Sequence, residues 1–198
     1  MTYTFQEALR AFKADQIASL ATDTQGLRFL MLRSLSRSEY MRELGEQCGL
    51  DLSETPARQL LQELFKTQSI TRQRIEDTIN SIYERERASR RETEPQLLSE
   101  LYRLQSFDWG GLHQNSLEKT IVDNYVKQIK AYDELCDGIE NKLYPSMRSY
   151  VLCSWYNNWT SIIIEDIFKD HDRVLPAVGR IKKVDFFIDD IPFDLKVT

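Results

Sequence analysis

Three residues near the end of the chain, Asp185, Asp194 and Lys196, have the types and spacing to hold a hard metal ion beside an amine. They lie in the stretch VDFFIDDIPFDLKVT, residues 184–198. There two runs of strand-forming residues, VDFFI and FDLKVT, flank a turn containing Asp189, Asp190 and Pro192. That is the pattern of a β-hairpin. Pairing Ile188 with Phe193 sets Asp185 opposite Lys196 and Phe187 opposite Asp194. Side chains alternate across a strand, so Val184, Phe186, Ile188, Phe193, Leu195 and Val197 share one face, and Asp185, Asp194 and Lys196 share the other. Phe187 lies on the carboxylate face, in a strand otherwise suited to a buried sheet, and carboxylates are costly to bury unless positive charge meets them. Mg²⁺ prefers oxygen ligands and keeps bound water, so two aspartates with room for water suit it. Lys196 would orient or deprotonate an attacking water, or offset charge growing on a phosphate.

Asp185, eight intervening residues and then Asp194-Leu195-Lys196 resembles the motif of the PD-(D/E)xK nuclease superfamily, which includes most type II restriction endonucleases. The resemblance covers residues 147–198, with Val184 where the motif often has proline. It implies that Asp185 and Asp194 bind Mg²⁺ and that Lys196 assists hydrolysis of a phosphodiester. Such families often add a glutamate from the helix before the sheet, and Glu165 is the candidate for that third metal-binding, catalytic position. At about 100° per residue, Ser154, Asn158, Ser161 and Ile162 share its side of the helix, a mostly small and polar ridge. The resemblance further implies double-stranded DNA as partner, a homodimer as a further assembly, and a place in a restriction–modification system. It also implies a helix and another strand after the lysine. The sequence stops two residues beyond Lys196, so the reading expects a partial nuclease core that cuts DNA weakly or not at all. The alternatives are a non-catalytic helical module for DNA or protein binding, and an inactive nuclease relic.

The elements that must position these groups are mainly helical. Residues 4–21 carry a stripe of Phe5, Leu9, Phe12, Ile17 and Leu20 with Thr4 as N-cap. LRFLMLRSL suits a buried strand or a short helix, and the reading favours helix. Ser38–Cys48 forms a short helix stopped by Gly49, and Pro56 sits near the start of the next. Residues 71–92 predict a long polar helix ended by Pro95, with a further helix to about Gln105. Gly110–Gly111 marks a loop, and Asn115 with Glu118 makes a capping start for the stripe Leu117 to Cys136. From Met147 to about Lys169 runs the most apolar helix, with Tyr150, Val151, Trp155, Trp159, Ile162 and Ile163 facing the core. The expected fold class is therefore α+β and predominantly helical. A helical region, 1–145, serves DNA contact or dimerisation, and is followed by 146–198, the start of a restriction-endonuclease-like α/β core of a helix plus a β-hairpin.

A net charge of −5 makes the whole chain no electrostatic magnet for DNA, so binding would depend on local basic faces. One such face is YERERASRRE, with Arg85, Arg87, Arg90 and Arg91. It reads as a solvated face with Glu–Arg pairs, with contact to the DNA backbone as its functional alternative. Cys48, Cys136 and Cys153 lack metal or disulfide spacing and read as free thiols of a reducing compartment. His113 and His171 show no zinc spacing. The N-terminus lacks the apolar core of a signal peptide, and no stretch approaches a membrane span. These features imply a cytoplasmic location.

Overall fold

The computed structural model describes residues 2–105, 117–181 and 183–196, and Arg180 by its backbone alone. The Gly110–Gly111 loop, His113, the Asn115 cap and the facing of Val197 lie outside the described residues. Packing divides the chain into two compact units. One runs up to Glu92 and resumes over Ile164–Lys196, and the other is Thr93–Ile163. These limits differ from a boundary at 145, because the hairpin packs with helices from the front of the chain.

In the first unit, α1 (Phe5–Lys13) starts on a capping box in which Thr4 and Glu7 satisfy each other's backbone donors. The stripe expected to continue to residue 21 breaks where Asp15 takes a φ of 65°, and α2 (Ile17–Ala21) follows as a separate short helix. LRFLMLRSL lies in α3 (Thr24–Ser34), capped by the Asp23 carboxylate on the Gln25 and Gly26 amides, as expected for helix. α4 (Ser38–Gln47) gives way to Gly49 at φ 75°, a left-handed position that suits glycine, and α5 (Ala57–Lys66) begins after Pro56. Phe5, Phe12 and Phe65 surround Phe29 at centroid distances of 5.9, 5.9 and 6.2 Å and form the aromatic centre of this core.

α6 (Arg72–Leu101) passes through Pro95 without ending. Pro95 forfeits one helical hydrogen bond, which costs on the order of 3 kcal/mol in a helix interior, but the residues on both sides keep helical form. In the second unit the expected single stripe from Leu117 is instead α7 (Leu117–Ile121), a π-helical turn at Val122–Val126, and α8 (Tyr132–Gly138). A second π-helical turn, Ile139–Leu143, leads into α9 (Tyr144–Lys169), which accommodates Pro145 in its first turn. On α9, Ile163 and Cys153 are buried, but Val151 is 60% exposed, so the expected core stripe is only partly enclosed.

β1 (Val174–Ile181), β2 (Val184–Ile188) and β3 (Ile191–Phe193) form an antiparallel sheet in the order β1-β2-β3. The expected register is corrected by two residues: Phe186 pairs with Phe193 and Ile188 with Ile191, in place of Ile188 with Phe193. The turn is therefore the pair Asp189-Asp190 alone, both at positive φ, 48° and 73°. A two-residue loop with both residues in that region matches the twist of the flanking strands, and aspartate tolerates it better than most side chains. Arg173 bridges to Asp189 and Arg72 to Asp190, holding the turn from both sides. A shift of two leaves each side chain on its face. Phe187 is buried in the helical core, while Phe186 stacks between Phe168 of α9 and Phe193 on the other face, at 5.7 and 6.0 Å. Gly179 lets β1 approach the end of α3, where a Cβ would lie 2.7 Å from the Ser34 carbonyl oxygen.

Candidate metal site on the hairpin

The corrected register changes which charges meet. Continuing it one residue past the Phe186–Phe193 pair sets Asp194 opposite Asp185, where the sequence reading had placed Lys196. Like charges directly opposite each other on neighbouring strands are destabilising. Two groups offset them: the Leu195 amide donates to Asp185 Oδ2 at 2.7 Å, and the Lys196 ammonium donates to Asp194 Oδ1 at 2.8 Å. Asp185 is half-buried and Lys196 is exposed. The hydrogen bond to Asp194 raises the Lys196 pKa, against an opposing effect of desolvation, and the charges of Asp194 and Asp185 raise it further. Two carboxylates and one ammonium leave a local surplus of negative charge. Asp194 also forms part of the wall of an adjoining cleft of about 570 Å³, where Asp15, Asp189 and Asp190 stand against Lys183. Lys183 is itself bridged to Asp15. The cleft is acidic and by itself unattractive to phosphate.

Glu165 is not gathered with this pair. Its carboxylate bridges to Lys169 one turn on, and Lys169 also donates to the Ala177 carbonyl of β1 at 3.2 Å. Among the described residues no three acids, histidines or cysteines come together as a metal centre. The donor set of Asp185 and Asp194 fits a two-carboxylate site completed by water, the mode natural to Mg²⁺, and does not fit a three-acid cage.

The arginine cluster has partners that the sequence reading did not foresee. Arg87 is 4% exposed and donates to Asp170 at 3.0 Å, with Asp166 at 3.6 Å. Arg90 grips Asp166 through two hydrogen bonds of 2.7 and 2.8 Å, and Arg91 reaches Asp170 at 3.0 Å and Glu84 at 2.9 Å. Tyr83 completes the set with a 2.8 Å hydrogen bond to Asp170. Arg85 pairs with Glu43 at 3.0 Å. Arg87 is thus enclosed beyond reach of a nucleic acid, whereas Arg85 and Arg91 keep about half their surface, at 56% and 44%. The signal for this clamp was present in the sequence: Asp166 and Asp170 one helical turn apart, and Tyr83, Arg87, Arg90 and Arg91 on one side of α6. His171 Nδ1 accepts a hydrogen bond from the Arg173 amide at 3.2 Å, and none of the three cysteines is in a disulfide.

No helix among the described residues is long and apolar enough to cross a membrane. The chain matches no protein-family model, no curated protein and no solved structure.

Proposed function

We propose that this chain carries the metal site of a Mg²⁺-dependent endonuclease acting on phosphodiester bonds of duplex DNA, of the restriction type and cytoplasmic. The observation that carries the reading is the placement of Asp194 one residue past the Phe186–Phe193 pair, where the continued register sets it opposite Asp185, with the Lys196 ammonium donating to it. Beyond the hydrogen bonds from the Leu195 amide and Lys196, the fold gains little from two carboxylates so placed, whereas a divalent cation would neutralise them. The D-x8-DxK resemblance supplies the substrate class. Asp185 and Asp194 would hold the ion through carboxylate oxygens, with water in the remaining positions. When bound, the ion supplies Lewis acidity and lowers the pKa of its water. Lys196, exposed beside the pair, would place positive charge against the phosphate as negative charge grows on its oxygens.

The test is single-turnover nicking of supercoiled plasmid by the purified chain with Mg²⁺. Weak nicking that stops on chelation and falls about a hundredfold or more in Asp185→Asn and Asp194→Asn is expected, since several kcal/mol of transition-state stabilisation accompany such an ion. Cleavage indifferent to both substitutions or to chelation would remove the nuclease reading. One observation favours a second reading, an inactive relic or a helical binding module: Glu165 is committed to Lys169 and leaves the pair without a third acid. That reading expects no chelator-sensitive nicking at any protein concentration.

A further inference from the structure

A cleft of about 630 Å³ opens between α1, α3 and α5 and shares no lining residue with the hairpin. Its floor is half-buried: Arg28 and Gln25 of α3, Gln62 and Phe65 of α5, and Phe5 of α1. Its mouth is exposed and includes Lys66, Gln6 and Gln68. Two cations and no acid line the cleft, in a chain whose net charge is −5. The acids within two residues of the lining, Glu7, Asp23 and Glu63, are engaged elsewhere. Glu7 accepts from the Thr4 hydroxyl at 2.7 Å, Asp23 accepts from the Gln25 and Gly26 amides at 2.9 Å, and Glu63 stands 3.7 Å from Lys66. Arg28 donates to three main-chain carbonyls, Leu64 at 3.0 Å, Thr67 at 2.9 Å and Ile70, and forms no ion pair among the described residues. Leu64 and Thr67 lie at the end of α5, whose dipole offers about half a negative charge. Arg28 and Lys66 together therefore leave a surplus of positive charge. Desolvation lowers the Arg28 pKa, the mark of a charge drawn from water without a carboxylate to meet it. Among the described residues no hydrogen bond engages the side-chain amides of the four glutamines, each of which offers both a donor and an acceptor. Phe5 and Phe65 pack with ring centroids 5.6 Å apart and give the cleft an apolar wall.

We propose that this cleft binds an adenine nucleotide. The surplus of positive charge selects a phosphate ester, and Lys66 at the mouth is free of the fold and able to meet it. A side-chain amide accepts from adenine N6 and donates to N7 at once, whereas guanine is matched by arginine or lysine and cytosine by a carboxylate. The lining holds no carboxylate, and Arg28 is occupied with carbonyls, so the glutamines favour adenine over the other bases. The phenylalanines supply apolar surface for a planar ring. The volume lies within the range of small-molecule sites. Arg28 also ties α3 to the end of α5, but that role calls neither for two half-buried amides without partners beside it nor for a second cation at the mouth. The site is independent of Asp185 and Asp194 and needs no metal.

The experiment titrates the full chain with adenosine monophosphate by calorimetry, at low salt and with a chelator present, and locates the ligand by amide NMR. The chelator keeps any metal off the hairpin, so failure here leaves the nuclease reading untouched. Saturable binding is expected, about tenfold or more tighter than that of inorganic phosphate, adenosine or cytidine monophosphate, with the largest shifts at Gln25, Gln62 and Lys66. Lys66→Glu, at an exposed position, is expected to weaken it about tenfold or more, the size of one charge-assisted hydrogen bond. Gln25→Met or Gln62→Met should weaken the nucleotide severalfold and leave inorganic phosphate unchanged. Absence of saturable binding, or binding indifferent to Lys66→Glu and to both methionine variants, would overturn the site. Equal affinity for inorganic phosphate would reduce it to an anion patch, and equal affinity for cytidine monophosphate would overturn the assignment to adenine.

Discussion

At the scale of single residues, Asp194 follows the last paired residue of β3, where the continued register faces it with Asp185, and Leu195 and Lys196 each donate to one of the two carboxylates. Removing one charge should then help the fold. Asp194→Asn is expected to raise unfolding free energy by up to about 0.5 kcal/mol, because opposed like charges cost a few tenths to one kcal/mol and the exposed bridge it loses contributes little. Urea denaturation measures this directly. A clear loss of stability would mean that Asp194 is structural and that its pairing with Lys196 matters to folding. A gain in stability on losing a polar group is the signature of a residue kept for function.

At the scale of elements, the clamp between α6 and the end of α9 fixes which face of α9 meets the sheet. Arg87→Ala removes the enclosed partner of Asp166 and Asp170 and should cost about 3–5 kcal/mol, the usual penalty for breaking a buried ion pair from one side. Urea unfolding at neutral pH checks it. Burial opposes ionisation of Asp170, but hydrogen bonds from Arg87 and Tyr83 and the charge of Arg87 prevail and hold its pKa below the ordinary value. A carboxyl with a depressed folded pKa contributes stability that is complete above its unfolded pKa, about 3.9, and that is lost as pH falls through the lower folded value. The wild type should therefore show an acid limb of falling stability below about pH 4 that is shallower in Arg87→Ala. Much of this element layer was legible in the sequence. The capped helices could be read from N-caps and glycines and β2 from its strand-forming run, but β1 was not anticipated, and the second expected strand, FDLKVT, is strand only as far as Phe193. What misled was local: Asp189 and Asp190 alone make the turn in left-handed backbone, which shortened it and moved the register by two. Pro95 was read as a stop, yet helix continues on both sides of it.

At the scale of the molecule, each compact unit has its own character. The unit that contains the hairpin encloses a continuous core from Ala8 through Phe187, whereas buried apolar residues in the other are few, among them Leu101, Leu143, Cys153 and Ile163. The hairpin belongs to the helical body because Gly179 allows contact with the end of α3. Gly179→Ala would push a methyl group against the Ser34 carbonyl and the Ser36 hydroxyl, and is expected to cost about 1–3 kcal/mol as an overpacked site. Hydrogen exchange should show that loss first at β1 and β2; a silent substitution would mean that the close approach at Gly179 does not hold the sheet. This union of distant segments was not legible beforehand. Periodicity shows that Phe187 has a face to bury, but not that α3 covers it. For the same reason the two aspartates and the Glu165–Lys169 pair could be found from spacing, but the hydrogen bond from Lys169 to the Ala177 carbonyl could not, since it depends on where β1 packs.

The account turns on whether Asp185 and Asp194 take a divalent ion together. The direct measurement is a Mn²⁺ titration of the isotopically labelled chain followed by amide NMR, in which paramagnetic broadening falls off steeply with distance. Broadening should begin at the amides of Asp185, Phe186, Leu195 and Lys196 and disappear in the Asp185→Asn variant. Broadening that starts at Asp15, Asp189 and Asp190, or spreads evenly over the acidic surface, would contradict it.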